Sequence, residues 1–377
     1  MSDAATRRDF VRHASLSCVA VAAGVAAGGR SSSLLGQTPI KRPAGSKLKT
    51  SLNAYSFSKL LNDYNKGSGA GPSLLELVDF CARLGFDGLD PTGYFFPGYP
   101  SVPADAYVNN FKRRAFNLGI GISGTGVRNN FTTADKTVRA AGVQHIKEWV
   151  EVAARLGAPV LRVFADTQMK AQTWQTVAPG CTRDQVEEWI ADNVRECAEH
   201  GEKFGVIIGV QNHGDFLKTS ADHLSLIKRV DSDWCGPIVD TGYYKSDDPY
   251  KDMAAVAPFA VNWQIKESPV GAGSELRTDM KKLLTLIRQA GYCGYLPIET
   301  LSTSGKEYDP FDLVPKFLAE LRQAMEATTS IAPLPVPEES AAPARSATTN
   351  PASTNSPDSR PGKKPANKKK NNAPANQ

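Results

Sequence analysis

The sequence of 377 residues predicts an α/β protein folded as a (β/α)8 or TIM barrel. Short apolar runs alternate with longer amphipathic runs from Leu48 to Ala327. Several amphipathic runs end in glycine, as in Arg83-Leu84-Gly85, and glycine commonly follows the last residue of a helix. Eight such units fit a barrel of about 250 residues. A doubly wound sheet is the alternative, but no glycine-rich phosphate loop follows the first strand, so no nucleotide cofactor is expected.

The apolar runs define eight strands. In chain order they are Thr50–Tyr55, Gly88–Pro91, Gly119–Ser123, Val160–Phe164, Val206–Gln211, Ile238–Asp240, Val261–Lys266 and Tyr295–Glu299. The helical patterns are Leu74–Leu84, Ala104–Leu118, Val143–Leu156, Arg183–Phe204, Ala221–Val230, Tyr250–Ala257, Met280–Ala290 and Pro310–Ala327. Helices between successive strands favour parallel pairing through right-handed crossovers. The barrel domain is therefore predicted to span residues 48–327.

Residues 1–37 are predicted to be a twin-arginine export signal with its linker. Arg7-Arg8 precede an apolar run from Leu16 to Ala27 that consists mostly of Ala, Val and Gly. This run is shorter than the roughly 20 residues that a membrane-spanning helix needs. Paired arginines before a weakly apolar segment are typical of an export address. We therefore expect the protein in the periplasm or cell envelope.

Residues 328–377 are predicted to form a disordered tail. This segment contains nine of the 25 prolines and no aromatic residue, so it has little apolar surface with which to offset its ordering entropy. Lys363, Lys364 and residues 368–370 could tether it electrostatically to an anionic envelope surface. A solvated spacer without a partner is the alternative.

The positive charge of the chain lies at its two ends. The formal net charge is +5, from 44 basic and 39 acidic residues. Residues 48–327 carry 30 bases and 34 acids, a net charge of −4. A net acidic barrel disfavours a nucleic-acid partner. The five cysteines that follow the signal contain no CxxC pair, so the sequence indicates neither a disulfide framework nor a structural zinc site.

Polar residues end several of the otherwise apolar strands. They are Asp90, Arg162, Gln211 with His213, Asp240, Gln264 with Lys266, and Glu299. Polar groups in such positions are costly to bury unless they bind something. Because the carboxyl ends of barrel strands form one mouth, these residues predict a functional site there.

The strand ends also carry a family resemblance. Residues 205–215 (GVIIGVQNHGD), 239–242 (VDTG), 262–267 (NWQIKE) and 296–300 (LPIET) resemble the xylose-isomerase-like TIM barrel family, within the sugar phosphate isomerase/epimerase superfamily. The helix-to-strand junctions at residues 82–88 and 154–158 are similar as well. The resemblance implies an isomerase or epimerase-like enzyme acting on a small carbohydrate.

In the epimerase branch of that family one divalent metal is held by Glu, Asp, His and Glu. The resemblance places these ligands at Gln211, Asp240, Gln264 and Glu299, so two of the four are amides here. An all-oxygen site with two negative charges would shift preference from zinc toward manganese, magnesium or calcium. His213 is a further candidate, either as a nitrogen ligand, as an acid/base, or as a hydrogen-bonded residue of the mouth.

Because position 211 carries an amide and not a carboxylate, the polar residues at the strand ends suit transfer of a proton by a single base. Gln211 cannot accept a proton, which disfavours a two-base 3-epimerase. Glu299 is the candidate base, and Lys266 is placed to stabilise a developing enolate. Further candidates for substrate binding are Arg162, Asp90, Asn212 and Trp263. For Trp263, which lies in mid-strand beside Gln264, the alternative is a position facing the helices. An ion pair between Arg162 and Asp90 is the alternative reading of those two residues.

Three functions fit this set. The first is aldose–ketose isomerisation, or a related epimerisation, of a sugar or keto-sugar, unphosphorylated because the protein is expected to be exported. The second is a lyase or hydrolase that acts on 3-keto-glycosides at the same site. The third is a non-catalytic sugar-binding barrel with a degenerate metal site, favoured by the two amides but opposed by the retention of Asp240, Glu299, Lys266 and His213.

Overall fold

The computed structural model of the chain describes residues 38–42, 46–69, 71–167, 172–267, 277–301 and 307–335. The predicted export signal and residues 336–377 of the predicted tail lie outside these ranges.

A nearly closed ring of parallel strands confirms the predicted barrel. Within the described ranges there are nine strands: β1 Leu48–Asn53, β2 Gly88–Asp90, β3 Gly121–Ile122, β4 Thr125–Gly126, β5 Val160–Phe164, β6 Ile207–Gln211, β7 Cys235–Asp240, β8 Asn262–Lys266 and β9 Gly294–Glu299. Their order is β3-β2-β1-β9-β8-β7-β6-β5-β4. The first strand pairs with the last, with Leu48 opposite Gly294.

The third predicted strand, Gly119–Ser123, is observed as the short strand β3, and a second short strand that was not predicted, β4, follows it. β3 pairs with β2, whereas β4 pairs with β5. Ser123, between them, accepts a hydrogen bond at its carbonyl from Asn262 Nδ2 across the barrel (3.0 Å). One extended segment therefore bridges the two edges of the sheet, and nine strands fill eight barrel positions.

The helices surround the strands. In chain order they are α1 Ser58–Asn65, α2 Leu74–Leu84, α3 Asp105–Asn117, α4 Lys136–Leu156, α5 Trp174–Val177, α6 Arg183–Phe204, α7 Ser220–Val230, α8 Pro249–Val256, α9 Met280–Gln289 and α10 Pro310–Ala327, with single 3-10 turns at Ala54–Phe57, Gly93–Phe95 and Ala257–Phe259. The sequence did not predict α1, α5 or these turns. α4 begins seven residues before its predicted start because Asp135 caps it, accepting from Thr137 N at 2.8 Å. No helix in these ranges is long and apolar enough to cross a membrane.

The packed chain continues beyond the predicted boundary at Ala327. Thr328 is fully buried, and its hydroxyl accepts a hydrogen bond from Arg288 Nε (3.0 Å). Leu334 N donates to the carbonyl of Gln289 (2.8 Å). The compact unit therefore ends at Pro335, because these contacts anchor residues that composition alone assigned to the tail.

Candidate functional site

The polar ends of the strands meet inside one mouth of the barrel. A hydrogen bond of 2.7 Å joins the hydroxyls of Ser51 and Ser123 across the interior, and alternation along β1 then directs Asn53 inward as well. The buried polar side chains at this end are Asn53, Asp90, Arg162, Gln211, Asp240, Gln264, Lys266 and Glu299. All but Asn53 were predicted from the sequence.

Lys266 joins two of the carboxylates. Its Nζ lies 2.6 Å from Glu299 Oε1 and 3.3 Å from Asp240 Oδ2. Burial alone would lower the pKa of Lys266, but the charges of Asp240 and Glu299 raise it above its usual range. Lys266 is therefore a fixed ammonium ion at the end of β8.

Arg162 forms a second buried cation beside the first. Its Nη2 donates to Tyr94 Oη (3.0 Å), and its Nη1 lies 3.7 Å from Asp90 Oδ2. With its amide oriented to satisfy both neighbours, Gln264 accepts from Arg162 Nη1 (2.9 Å) and donates to Glu299 Oε2 (3.1 Å). The two cation clusters are thus connected through one amide, and the predicted alternative of an Arg162–Asp90 ion pair is present.

His213 and Asp166 form a hydrogen-bonded pair at the rim. His213 Nδ1 contacts Asp166 Oδ2. Because a carboxylate only accepts hydrogen bonds, Nδ1 carries the ring proton, and in the neutral ring Nε2 is the acceptor nitrogen. Gly214 makes this approach feasible, because its φ is +70° and a Cβ there would lie 2.6 Å from Asp166 Cβ. The imidazole also faces the Tyr243 ring, with centroids 4.0 Å apart. The orientation of the imidazole is therefore fixed by Asp166 at its edge and by Tyr243 at one face.

These groups line one cavity of about 550 Å³, a size typical of small-molecule sites. Gln211, Lys266 and Glu299 lie along it together with Arg162 and His213. Aromatic rings contribute much of the remaining surface, namely Tyr55, Tyr94, Phe164 and Tyr243. A polar floor with aromatic walls suits a flat, hydroxyl-bearing ligand.

Two predicted substrate contacts need correction. Asn212 is fully buried, and its side chain accepts from Asp240 N (2.6 Å) and donates to Asp240 O (2.9 Å). It therefore fixes the end of β6 to β7. Trp263 is also fully buried and packs edge-on against Tyr292 at 6.0 Å, because strand alternation turns it toward the helices while Gln264 faces the barrel interior.

Asp90 lies beneath the cavity instead of along its wall. It is 2% exposed and faces Arg162, so it acts on the site through that guanidinium. Within the described residues, neither Asp90 Oδ1 nor Arg162 Nε has a hydrogen-bond partner. This ion pair therefore depends mainly on charge.

The residues at the predicted metal position do not fit a divalent cation. Gln211 Nε2 donates to Asp240 Oδ2, and Gln264 in its satisfied orientation donates to Glu299. Lys266 donates to Glu299 and lies between the two carboxylates. No group of three or more His, Cys, Asp or Glu side chains in the described ranges has an arrangement that could hold a metal ion.

Sequence reasoning missed three residues of the site. Asp166 follows β5 by two residues, and Asn53 ends β1, so both satisfy the strand-end rule that selected the other candidates. Tyr243 lies three residues after the end of β7, and its ring lies against His213 and 5.5 Å from Lys266 Nζ. Only the folded chain distinguishes it from the aromatic residues of the core.

A buried histidine supports the loop that carries Tyr243. His223 in α7 contacts Tyr244 Oη through Nδ1 (2.9 Å) and the Val210 carbonyl through Nε2 (2.9 Å). Because a carbonyl can only accept, Nε2 carries the proton and Nδ1 accepts from the tyrosine. Burial lowers the pKa of His223 to about 4.

We expect this histidine to make the fold less stable as the pH falls from 6.5 toward 4. In that window the unfolded chain binds a proton at His223 that the folded chain does not, so the free energy of unfolding rises with pH by up to about 1.4 kcal/mol per unit. Urea denaturation at a series of pH values would measure this slope. His223→Gln should reduce it, since glutamine can donate and accept but does not titrate, and an unchanged slope would contradict the assignment.

Residues 78–327 match the family model described as "Xylose isomerase-like TIM barrel". None of the curated protein sequences matches the chain.

Solved structures share the fold at low identity. A D-psicose 3-epimerase in the presence of D-fructose is 15% identical, with a TM-score of 0.58 over 75% of this chain and 99% of that one. The E. coli 3-keto-D-glucoside 4-epimerase YcjR is 16% identical, with a TM-score of 0.55 over 74% and 99%. A D-psicose 3-epimerase with D-tagatose from Clostridium cellulolyticum H10 is 15% identical, with a TM-score of 0.58 over 75% and 99%. At these identities the likeness establishes the shared fold alone.

Proposed function

The chain belongs to the xylose isomerase-like TIM barrel family, and from this membership we propose that it is a sugar isomerase or epimerase-like enzyme. The substrate is a small sugar or keto-sugar bound in the cavity at the mouth. The observation that carries the proposal is the presence of the His213–Asp166 pair and the Lys266 ammonium on the surface of one cavity.

The surface of the cavity supports a carbohydrate ligand. Tyr55, Tyr94 and Tyr243 offer aromatic rings against which the C–H face of a sugar can pack, while Gln211 and Arg162 offer hydrogen bonds to hydroxyl groups. Two of the similar structures are a D-psicose 3-epimerase and a 3-keto-D-glucoside 4-epimerase. A carbonyl next to a carbon that carries hydrogen is the common feature of these substrates.

The proposed reaction begins with removal of a proton from that carbon. His213 Nε2 takes the proton, and the electrons of the C–H bond form an enolate whose negative charge develops on the former carbonyl oxygen. Asp166 holds the ring in the required tautomer and stabilises the imidazolium. The hydroxyl group of the deprotonated carbon passes its proton to the enolate oxygen, and His213 returns the abstracted proton to the former carbonyl carbon. The second oxygen then becomes the carbonyl, which completes an aldose–ketose isomerisation with a single carbon base.

Lys266 supplies the charge that stabilises the enolate oxygen. Glu299, the base that the sequence favoured, has Oε1 engaged by that ammonium and Oε2 by Gln264 in its satisfied orientation, so both of its oxygens already accept hydrogen bonds. We therefore assign proton transfer to His213 and give Glu299 the role of positioning Lys266.

The same base would begin an elimination from a 3-keto-glycoside. In that reaction the enolate expels the group at the β carbon, and a proton is delivered to the departing oxygen. Release of the free aglycone distinguishes this outcome from isomerisation, in which all carbon–oxygen bonds survive.

We further propose that the enzyme works outside the cytoplasm. The twin-arginine pattern of residues 1–37 supports export to the periplasm or cell envelope. The lysines near the C-terminus fit a weak electrostatic contact with an anionic envelope surface. An extracytoplasmic location favours an unphosphorylated substrate.

Incubation of the full-length protein in D2O with D-fructose, D-psicose, D-tagatose and a 3-keto-glucoside tests the proposal. Deuterium is expected to enter at a carbon next to the carbonyl of at least one of these sugars, detected by NMR. Binding of a sugar without exchange or product would instead indicate a non-catalytic sugar-binding barrel. Binding of none of them would contradict the proposed substrate class.

A further inference from the structure

The two carboxylates at the ends of β7 and β9 already have a cation between them. Lys266 Nζ is within 3.3 Å of an oxygen of each, and the three side chains are at most 7% exposed. Buried carboxylates require a compensating charge. In this chain the compensating charge is covalently attached.

The amides that flank the carboxylates complete their hydrogen bonding. Asp240 Oδ1 accepts from Gly242 N (2.9 Å) and Oδ2 accepts from Gln211 Nε2. Glu299 Oε1 accepts from Lys266, and Oε2 accepts from Gln264 in its satisfied orientation (3.1 Å). Each carboxylate oxygen therefore has a donor, and an entering metal ion would have to displace these donors.

The backbone leaves room for the lysine. A Cβ at Gly242 would lie 2.8 Å from Lys266 Cδ, so a side chain at position 242 would push the aliphatic stem away from the carboxylates. An ammonium has three N–H donors, and Asp240 and Glu299 account for two of them. Since Lys266 also lines the cavity, the third donor can serve a ligand.

We propose that the Lys266 ammonium replaces the divalent metal at this position, so that the chain binds no catalytic metal and uses Lys266 as its electrophile. A metal ion would add two positive charges beside Lys266 and Arg162, which are both fixed in the same buried region. Relative to the ligands that the resemblance implies, Gln211 lacks the negative charge of a glutamate and Gln264 lacks the imidazole nitrogen of a histidine, so such an ion would have one negative charge and one nitrogen ligand fewer. The electrophilic role rests on the proposed function, whereas the exclusion of metal does not.

Titration of the full-length protein with Mn²⁺, followed by the EPR signal of free Mn²⁺, tests the exclusion directly. The wild-type chain is expected to show no saturable binding, and its melting temperature should be unchanged by Mn²⁺ or EDTA. Stoichiometric Mn²⁺ binding by the wild-type chain would overturn the proposal. Neither measurement requires a sugar substrate, so the exclusion of metal can fail while the proposed function stands, and the reverse.

Variants of Lys266 test whether its ammonium group is what excludes the metal ion. Lys266→Ala removes the charge and opens space between the carboxylates, and it should produce saturable Mn²⁺ binding, with an affinity at least about tenfold above the upper limit that the titration sets for the wild-type chain. Lys266→Met removes the charge but keeps most of the volume, so a smaller gain is expected. Lys245→Met is the matched control, because Lys245 donates to the carbonyl of Gly242 instead of bridging the carboxylates, and no gain is expected. A folded Lys266→Ala variant without any gain would contradict the proposal, and if neither Lys266 variant folds, the wild-type titration decides.

Discussion

Substitution of His213 by asparagine is expected to slow exchange of the substrate proton by about 10²–10⁴-fold. Asparagine preserves a polar side chain near Asp166 but has no nitrogen that can take up a proton at neutral pH. The rate of deuterium incorporation into the responsive sugar measures the effect. Because His213 lies at the rim with its side chain 28% exposed, the melting temperature should change little.

His200→Asn serves as the matched control for this experiment. His200 lies on α6 beside Glu151 (3.5 Å), in the outer layer of helices, so its replacement should leave the exchange rate unchanged. A His213→Asn variant that exchanges at the wild-type rate would exclude His213 as the base. Glu299 would then be the remaining candidate.

Substitution of Arg162 by methionine is expected to lower the free energy of unfolding by about 3–5 kcal/mol, the usual cost of breaking a buried ion pair. Arg162 and Asp90 are almost completely buried, and methionine retains the length of the side chain but not its charge. Asp90 would then be an uncompensated carboxylate. Urea denaturation of the full chain at neutral pH gives the measurement.

A lower pH should reduce the loss in free energy of unfolding that Arg162→Met causes. Burial raises the pKa of Asp90 against the opposing charge of Arg162, and without that charge the pKa rises further. The folded variant then takes up a proton that the unfolded chain does not, which stabilises it relative to the wild type as the pH falls.

Arg277→Met is the control for burial. Arg277 is half-exposed and pairs with Glu267 and Glu320 near the surface, where an ion pair contributes only about 0–1 kcal/mol. An equal loss in both variants, or a deficit of Arg162→Met that grows as the pH falls, would contradict the assigned role of Asp90.

The exact bounds of several helices and strands could be predicted because the sequence features that set these bounds are local. The bounds of α2, α6 and α10 agree with the predictions, as do those of β5. Ser73 and Glu76 form a capping box at the start of α2, and both residues are visible in the sequence three positions apart. Such interactions within one turn need no information from the rest of the chain.

Other elements depend on what surrounds them. β4 has two residues, Thr125 and Gly126, and is a strand only because β5 lies beside it. Thr328 resembles the start of a polar tail in composition but is buried against Arg288. In both cases a distant segment supplies the partner, and no local pattern announces it.

The sequence by itself determined the barrel, the order of its strands and helices, and most of the polar residues at its mouth, because periodicity, caps and strand ends are properties of neighbouring residues. The tertiary structure alone decided which of these residues meet. Asp166 reaches His213 across 47 positions, and Asn53 reaches Gln264 across 211. The same closure of the barrel placed the Lys266 ammonium between two carboxylates. Charge compensation and burial depend on distances in space, and these distances exist only once the last strand pairs with the first.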